Sequence, residues 1–528
     1  MNGRKEIFTD VTEVNDENII GIVQKAMAIH EANVARMTFL LNYEEGLQPL
    51  QREKTYRPDI DCKAVDNVAN EITEFKLGYN WGFPITLVQR GERDQKNLLK
   101  DYNGSLPPIS EKAQAITILN ECYDAENCSA KTQKLGRFVE ICGLGYTYTD
   151  VKADWKEGDS YFQNEVLDPR CAFIVKSSYY IDRRPMVGVS YFTDDLGQRH
   201  ITAITKDYFY EMDSTYRLNK DGTFKKNRNG EAIVDWQLGK NVIKNTLGVI
   251  PIVEYFRSYD RMGCFERQIS EMDNLNLLVS DFTNDVEQNT QAVWHTNDVD
   301  LTEVKEDADG NKIVSDHKPR SNEWIHTETT PDGKTPFIHA LTIDYNYSGM
   351  LSNIMSRRAL ILQKCYVPQR TENTNGATGI ATGDATGWSA AETQACKQEM
   401  ITNSCKKNEL KVVLAAIKAS TNVPPDSPLN DIKYSDIEVN IKRQRTYEMT
   451  SKINAYATGV SHGLAPEHMI RVINLFNDPQ QTIEDSKPYI KKYLESTFSG
   501  DEVEERPDSF KLNGDNSDQI ENSPNMTV

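Results

Sequence analysis

The sequence predicts an α+β protein of several domains, and three observations carry that class. Apolar residues recur at helical spacing from Asn15 to about Leu41. β-Branched and aromatic runs crowd the stretch from Val166 to Asp213. A second pair of helical patterns, between Asp344 and about Ser420, flanks a polar insert rich in glycine. At 528 residues the chain has length for two to four domains with ample core.

In chain order, the first helix is set by Ile19, Ile22, Val23, Ala26, Ile29 and Val34. A loop through Pro49 and Pro58 leads to a second helical pattern at Val65, Val68, Ile72, Phe75 and Tyr79. It ends in a Gly78–Pro84 turn, after which Ile85 to Val88 reads as a strand. Pro107 to Ser110 opens a helix with Ile116, Leu119 and Tyr123 inward, and another runs from about Ser129 to Cys142. Gly143 and Gly145 break it, and Tyr146 to Thr149 alternates as a strand. Cys171–Val175, Met186–Phe192 and Ile201–Thr205 supply further strands, with hairpin signals at Asp221–Gly222 and Asn229–Gly230. Leu247 to Tyr255 closes this region.

A long helix is then expected from about Arg261 to Thr290, because Phe265, Ile269, Met272, Leu275, Val279, Phe282 and Val286 step by fours and threes. At about 1.5 Å per residue it would be roughly 45 Å long, with wet acidic flanks carrying Glu266, Glu271, Asp273, Asp281, Asp285 and Glu287. Residues 293–343 form a small turn-rich insert holding strand-like pieces such as Pro336–Leu341. Tyr347, Leu351, Ile354 and Ile361 fall on one stripe of the next helix. The insert from Val367 to Trp388 spaces Gly376, Gly379, Gly383 and Gly387 among threonines. That composition suits a solvated linker and equally a loop held between rigid supports. Ser389 and Glu392 read as a capping box opening a helix through Met400, Ile401, Leu410, Val413, Leu414 and Ile417. Ile437, Val439 and Ile441 alternate as a strand, and Tyr447 to about Tyr493 is helical.

Bulk properties exclude several function classes. The net charge is −19; the stretch from Asp501 onward holds eight acids against Arg506 and Lys511, which leaves −13 for the rest. Such a body is not a general nucleic-acid binder, and DNA meeting it would slide past rather than be gripped. Nine cysteines stand singly with no CxxC, against both a zinc site and a disulfide framework. The N-terminus has no apolar signal-like run, and the longest apolar run, Val412–Ile417, is far short of a membrane span.

No Walker lysine follows the glycines of the insert, and no HExxH, GxSxG or dinucleotide fingerprint occurs. Gly143 and Gly145 form a bare GxG running into a strand. Asp59, Glu74 and Lys76 fit the metal-dependent PD-(D/E)xK nuclease pattern, in which carboxylates hold a metal and lysine assists the attacking water. That chemistry needs Glu74 and Lys76 on a strand, and here they sit in a segment of helical period.

The order of elements brings together several loose motifs. They are Asn42–Gly46, Gly78–Pro84, Gly248–Tyr255 ahead of the helix from Arg261, Thr386–Glu392 at the end of the insert, and Gly459 to Asp478. In these, over most of residues 15–500, the chain resembles the portal proteins of tailed bacteriophages, of the type found in long-tailed phages. The resemblance implies a portal fold with an α/β wing (1–260), stem helices (261–292 and 344–366) and a clip (293–343). It further implies a tunnel loop (367–388), a long helix (389–423), a wing return strand (424–445), a helical crown (446–500) and a disordered acidic tail (501–528).

By the same resemblance the protein is a virion component, assembled in the host cytoplasm, with no catalytic role, cofactor or metal. It would form a dodecameric ring at one capsid vertex, through which double-stranded DNA is packaged and ejected. Its partners would be the terminase large subunit, the head–tail adaptor, the major capsid protein and scaffold. Channel-facing candidates are Arg370, Thr371, Asn373, Asn375, Thr378, Thr382 and Asp384 in the tunnel loop, with Glu271, Asp281 and Asp285 on the stem. The loop departs from the family in being glycine- and threonine-rich, with only Arg370, Glu372 and Asp384 charged. A metal-dependent nuclease and a capsid scaffolding or assembly protein are the alternatives.

Overall fold

The computed structural model describes residues 3–50, 59–90, 111–195, 198–217, 219, 225, 234–290, 293–297, 302–306, 312–316, 336–341, 346–369, 387–441, 443, 446–464, 469–470, 482, 486 and 489. These divide into two compact units.

The first unit holds residues 1–85, 119–430 and 441–443. Strand β1 (Ile7–Thr9) precedes helix α1 (Ile19–Glu44), and α2 (Val68–Trp81) follows. Helix α3 (Glu111–Ala125) contributes its second half, and α4 (Cys128–Cys142) comes next. Gly143 then takes a left-handed conformation (φ 79°) and ends α4, as a C-terminal glycine does. The broken pattern at Gly143 and Gly145 is therefore the turn into strand β3 (Leu144–Val151).

Strand β3 pairs antiparallel with β4 (Phe162–Leu167) and β10 (Ile252–Phe256), giving a three-stranded sheet. A six-stranded sheet runs in the order β1, β5 (Ala172–Ser177), β6 (Pro185–Thr193), β7 (Arg199–Ile204), β8 (Tyr208–Tyr216), β9 (Val234–Lys244). All its pairs are antiparallel except β1 with β5. Its buried face, with Phe173, Val175, Val187, Val189, Ile201 and Ala203, shares one core with Ile19, Val23, Met37 and Leu40 of α1. The strand-rich reading of residues 166–213 holds, and burial of that face removes enough apolar surface to order both layers.

The long helix predicted from Arg261 is shorter. Residues 266–268 form a 3₁₀ turn and α5 proper is Ile269–Thr290. Arg261 lies before it with φ 51°, its guanidinium bonded to Glu254 (3.0 Å) and Glu6 (2.6 Å). A buried, ion-paired arginine in left-handed backbone cannot continue a helix, and this accounts for the late start. Phe265, Ile269, Met272 and Leu275 are buried as the spacing required.

Beyond α5, β11 (Val293–Asn297) pairs with β14 (Phe337–Leu341), and β12 (Thr302–Glu306) with β13 (Lys312–Asp316), both antiparallel. Helix α6 (Tyr347–Lys364) and the long α7 (Trp388–Ala419) complete this unit.

The second unit holds residues 86–118, 431–440 and 444–528. Among its described residues, β2 (Thr86–Gln89) pairs antiparallel with β15 (Ile437–Asn440), and α8 (Thr446–Ser461) lies within the predicted C-terminal helical stretch. Ile437 and Val439 are buried on one face of β15, and Ile441, the first residue beyond it, is buried too. Lys112 approaches Asp436 to 3.6 Å.

Candidate functional site

Helices α5 and α6 pack together and bracket the small β insert, and the segment linking α6 to α7 leaves from the far end of that pair. The contact between α5 and α6 includes a ring pair, Phe282 with Tyr347 (6.0 Å, edge to face), and an ion pair, Lys364 with Glu271 (3.4 Å). Only part of the predicted α6 stripe is covered: Ile354 and Ile361 are buried, whereas Tyr347 and Leu351 are 37% and 44% exposed. The stripe is covered at its C-terminal end and partly open at the other, where Tyr347 still meets Phe282 of α5.

A second face of α5 is polar and buried, against the expectation of wet flanks. Asn276, Ser280 and Asn284 stand four residues apart and are at most 2% exposed. The Asn276 carboxamide oxygen accepts from the Asp66 N–H (2.9 Å), the Ser280 hydroxyl from Ala64 N–H (3.1 Å), and Asn284 from Cys62 N–H (2.7 Å). Ser280 and Asn284 also donate to the carbonyls of Ala64 and Cys62. Four residues of helix advance about 6.0 Å, and two of extended chain about 6.6 Å, so a ladder of three rungs closes with little strain. Arg358 of α6 bonds Asp66 (3.0 Å) and Glu71, so this extended strap ties α5, α6 and the start of α2 together.

Glu266, also expected on a wet flank, is fully buried. Its carboxylate receives Arg4, Arg36 (3.0 Å) and the Gly263 N–H (3.0 Å). A carboxylate can be buried only with such partners. Two more buried carboxylates hold α7. Glu140 accepts from Arg257 (2.9 Å), Trp81 (3.1 Å), Asn80 (3.2 Å) and Gln398 of α7. Burial acts to raise its carboxyl, and the Arg257 charge with the Gln398 and Trp81 bonds outweighs that and holds it below the usual range. Glu409 of α7 accepts from Tyr123 (3.2 Å), Asn164 (3.2 Å), Lys406 (2.6 Å) and Tyr255. Burial, then the Glu409 charge, pushes both tyrosine hydroxyls well above their ordinary range.

The start of α7 corrects the capping-box reading. Gly387, with φ 86°, is the residue before the helix, which begins at Trp388. Ser389 is therefore inside the first turn. Glu392 is drawn sideways instead, to Tyr79 and to Arg443 (3.0 Å). Of the residues that the helix runs through, Met400 is 70% exposed, while Leu410, Val413, Leu414 and Ile417 are buried.

Of the predicted site residues, Glu271, Asp281 and Asp285 lie on α5, all half-buried, with Glu271 meeting Lys364. Arg370, Thr371, Asn373, Asn375, Thr378, Thr382 and Asp384 lie outside the described residues, as do 501–528. Glu74 and Lys76 fall on helix α2, not on a strand; Glu74 pairs with Arg137 (3.3 Å) and Lys76 is buried against the Tyr366 carbonyl (3.2 Å). Among the described residues no three His, Cys, Asp or Glu side chains converge as a metal would need, and no helix is long and apolar enough to cross a membrane. The strap rungs and buried carboxylates escaped the sequence reading. A polar spacing of four on α5 was the available signal for the rungs.

Residues 24–493 match the family model described as "Phage portal protein, SPP1 Gp6-like". Among solved structures, the chain is similar at 10% identity to one from the neck of an empty GTA particle computed with C6 symmetry. That similarity has a TM-score of 0.36 and covers 81% of this chain and 95% of that one. It is similar at 9% identity to one from the neck of a native GTA particle computed with C12 symmetry, with a TM-score of 0.35 and coverage of 78% and 90%. No curated protein matches.

Proposed function

We propose that this chain, which belongs to the SPP1 Gp6-like family of phage portal proteins, builds a twelve-membered ring at one capsid vertex through which double-stranded DNA is packaged and ejected. The family is one of structural, non-enzymatic head–tail connector proteins, components of the phage particle. The finer assignments are our reading. Helices α5 and α6 are the stem, with residues 261–292 and 344–366 as its extent. The β insert in 293–343 is the clip, on which the terminase large subunit and later the head–tail adaptor dock. Residues 1–260 with 424–445 are the wing, 446–500 the crown, and 501–528 an acidic tail. Capsid protein and scaffold meet the ring from outside.

The carrying observation is the family match over residues 24–493, joined to two packed helices that bracket a small β insert and lead into the 367–388 segment. The charge balance supports it. A wall of net negative charge, to which Glu271, Asp281 and Asp285 contribute, lets a polyanion pass without the counterion-releasing contacts that would grip it. Arg370, Thr371, Asn373, Asn375, Thr378, Thr382 and Asp384 are assigned to the channel-facing loop. The nuclease alternative loses its footing, since Glu74 and Lys76 point from a helix and both are engaged elsewhere.

Electron microscopy of the purified protein, with its solution mass, is expected to show closed rings with a hole wide enough for duplex DNA. Deleting Asn373–Asp384 is expected to leave the rings intact and stop packaging. Loss of the rings on that deletion would overturn the loop assignment. A protein that stays at 60.1 kDa even with its capsid partners would overturn the portal reading.

A further inference from the structure

We infer that α2 is a clamp holding both roots of segment 370–386, with Lys76 at the outgoing root and Phe75 and Tyr79 at the returning one, and that DNA transport depends on it. The transport half rests on the portal reading; the clamp itself does not.

At the outgoing root, α6 ends with Tyr366 in left-handed backbone at φ 58°. Its N–H bonds the Gln363 carbonyl (3.0 Å), and the next N–H, of Val367, bonds Leu362 (2.9 Å). This is the paired closure usually built on glycine, here built on a tyrosine at a conformational cost. Something must hold it. The Lys76 ammonium, on a side chain buried to 2% exposure, donates to the carbonyl of that same Tyr366 (3.2 Å). Gln369 then bonds back to the Ala359 carbonyl (3.1 Å).

At the returning root, Trp388 enters an aromatic cluster with Phe75 (5.9 Å) and Tyr79 (5.7 Å), both edge to face. Phe75 and Tyr79 stack on one another at 5.6 Å, as residues four apart on one helix can. The Tyr79 hydroxyl donates to Glu392, whose carboxylate Arg443 also holds (3.0 Å); Arg443 reaches Glu399 as well (2.6 Å). Thus three residues of α2, Phe75, Lys76 and Tyr79, fix the chain where it leaves and where it comes back. The described residues on both sides of the segment are held by the same helix.

Burying an ammonium against one carbonyl and the Phe75 (5.4 Å) and Tyr366 (5.9 Å) rings, with no carboxylate among the described residues bonded to it, is a poor way to stabilise a fold. Burial works against the Lys76 charge and lowers its pKa, with Glu140 the main opposing influence. Lys76 therefore fits a positioning role better than a stabilising one, and the two roles separate by experiment.

Hydrogen exchange is measured by mass spectrometry on the full-length protein and on variants, with packaging assayed in parallel. Lys76→Met keeps length and removes the buried charge. It is expected to leave the thermal midpoint unlowered while amides of 365–369 exchange about tenfold faster. Trp388→Ala is expected to open residues 388–396 by a similar factor, since two edge-to-face contacts are lost, and Trp388→Phe to restore them. Packaging falls in Lys76→Met and Trp388→Ala and recovers in Trp388→Phe.

Unchanged exchange at both roots overturns the clamp, as does a lowered midpoint for Lys76→Met with exchange rising throughout α2 and α4. Opened roots with normal packaging overturn the dependence of transport on the clamp. A wild-type protein that supports no packaging overturns the portal reading instead, and exchange alone then decides the clamp.

Discussion

Replacing Glu140 by glutamine tests whether the buried carboxylate, and not its shape, joins α4 to α2 and α7. The side chain is fully buried and accepts from four donors, of which the Arg257 guanidinium is 2.9 Å away and itself 12% exposed. Glutamine keeps the outline, but turns one acceptor into an NH₂ among donors and leaves the arginine charge without its partner. Breaking a buried pair from one side costs about 3–5 kcal/mol. One relief is available: the Asn80 carboxamide oxygen is buried without a partner and can accept from the new NH₂, recovering about 1 kcal/mol. The expected net loss is therefore about 2–4 kcal/mol.

The assay is denaturant unfolding at fixed protein concentration, following the transition that reports Trp81, since assembly makes apparent stability concentration-dependent. In the double variant Glu140→Gln/Arg257→Leu the stranded charge is gone, so its loss should fall below the sum of the single losses. A Glu140→Gln loss below about 1 kcal/mol, or full additivity in the cycle, would refute the reasoning.

Two further outcomes follow from buried groups elsewhere. His30 packs on Phe173 (4.5 Å) with its Nε2–H donating to the Arg170 carbonyl (3.1 Å), and burial lowers its pKa to about 4. The unfolded chain takes this proton near pH 6.5 and the folded one near 4, so stability is full above 6.5 and falls as pH drops between the two, by about 3 kcal/mol. Unfolding at pH 7.5 and 4.5 should show a smaller pH dependence in His30→Gln; an equal one sinks the assignment. Gly136→Ala in α4, ordinarily a gain of about 1 kcal/mol in a helix interior, should instead cost about 1–3 kcal/mol. A β-carbon there would stand 2.5 Å from the Trp81 ring, and a rise in thermal midpoint would contradict the packing.

Elements with a period were legible. The alternation at Ile437, Val439 and Ile441 survives as buried residues, and the predicted seam lies in the core from Phe265, just ahead of α5, through Ile269, Met272 and Leu275, while Val286 further along is exposed. Long-range polar pairing was not legible. Glu266 reads as one more surface acid until Arg4, distant in sequence, is brought beside it. Glu392 looks like a capping residue because Ser389 precedes it by three, and its real partners come from α2 and residue 443. The early start of α7 depends on Gly387 adopting positive φ, and Tyr366 does so without being glycine, so composition gave no warning. For the channel candidates, the sequence placed Glu271, Asp281 and Asp285 on a helix correctly, while the loop residues lie outside the described chain.

The strap along α5 divides mutational freedom unevenly. Asn276, Ser280 and Asn284 grip main-chain groups of Asp66, Ala64 and Cys62, which every residue except proline presents alike. The gripped segment can therefore change its side chains at Cys62 and Ala64 while keeping its seat, whereas Asp66 is also held through its carboxylate by Arg358. The helix residues cannot change theirs, because each must be short, polar and able to accept at one fixed height. A helix that clasps another segment by its backbone thus keeps its own geometry and leaves the outward side of that segment free to follow whatever it faces.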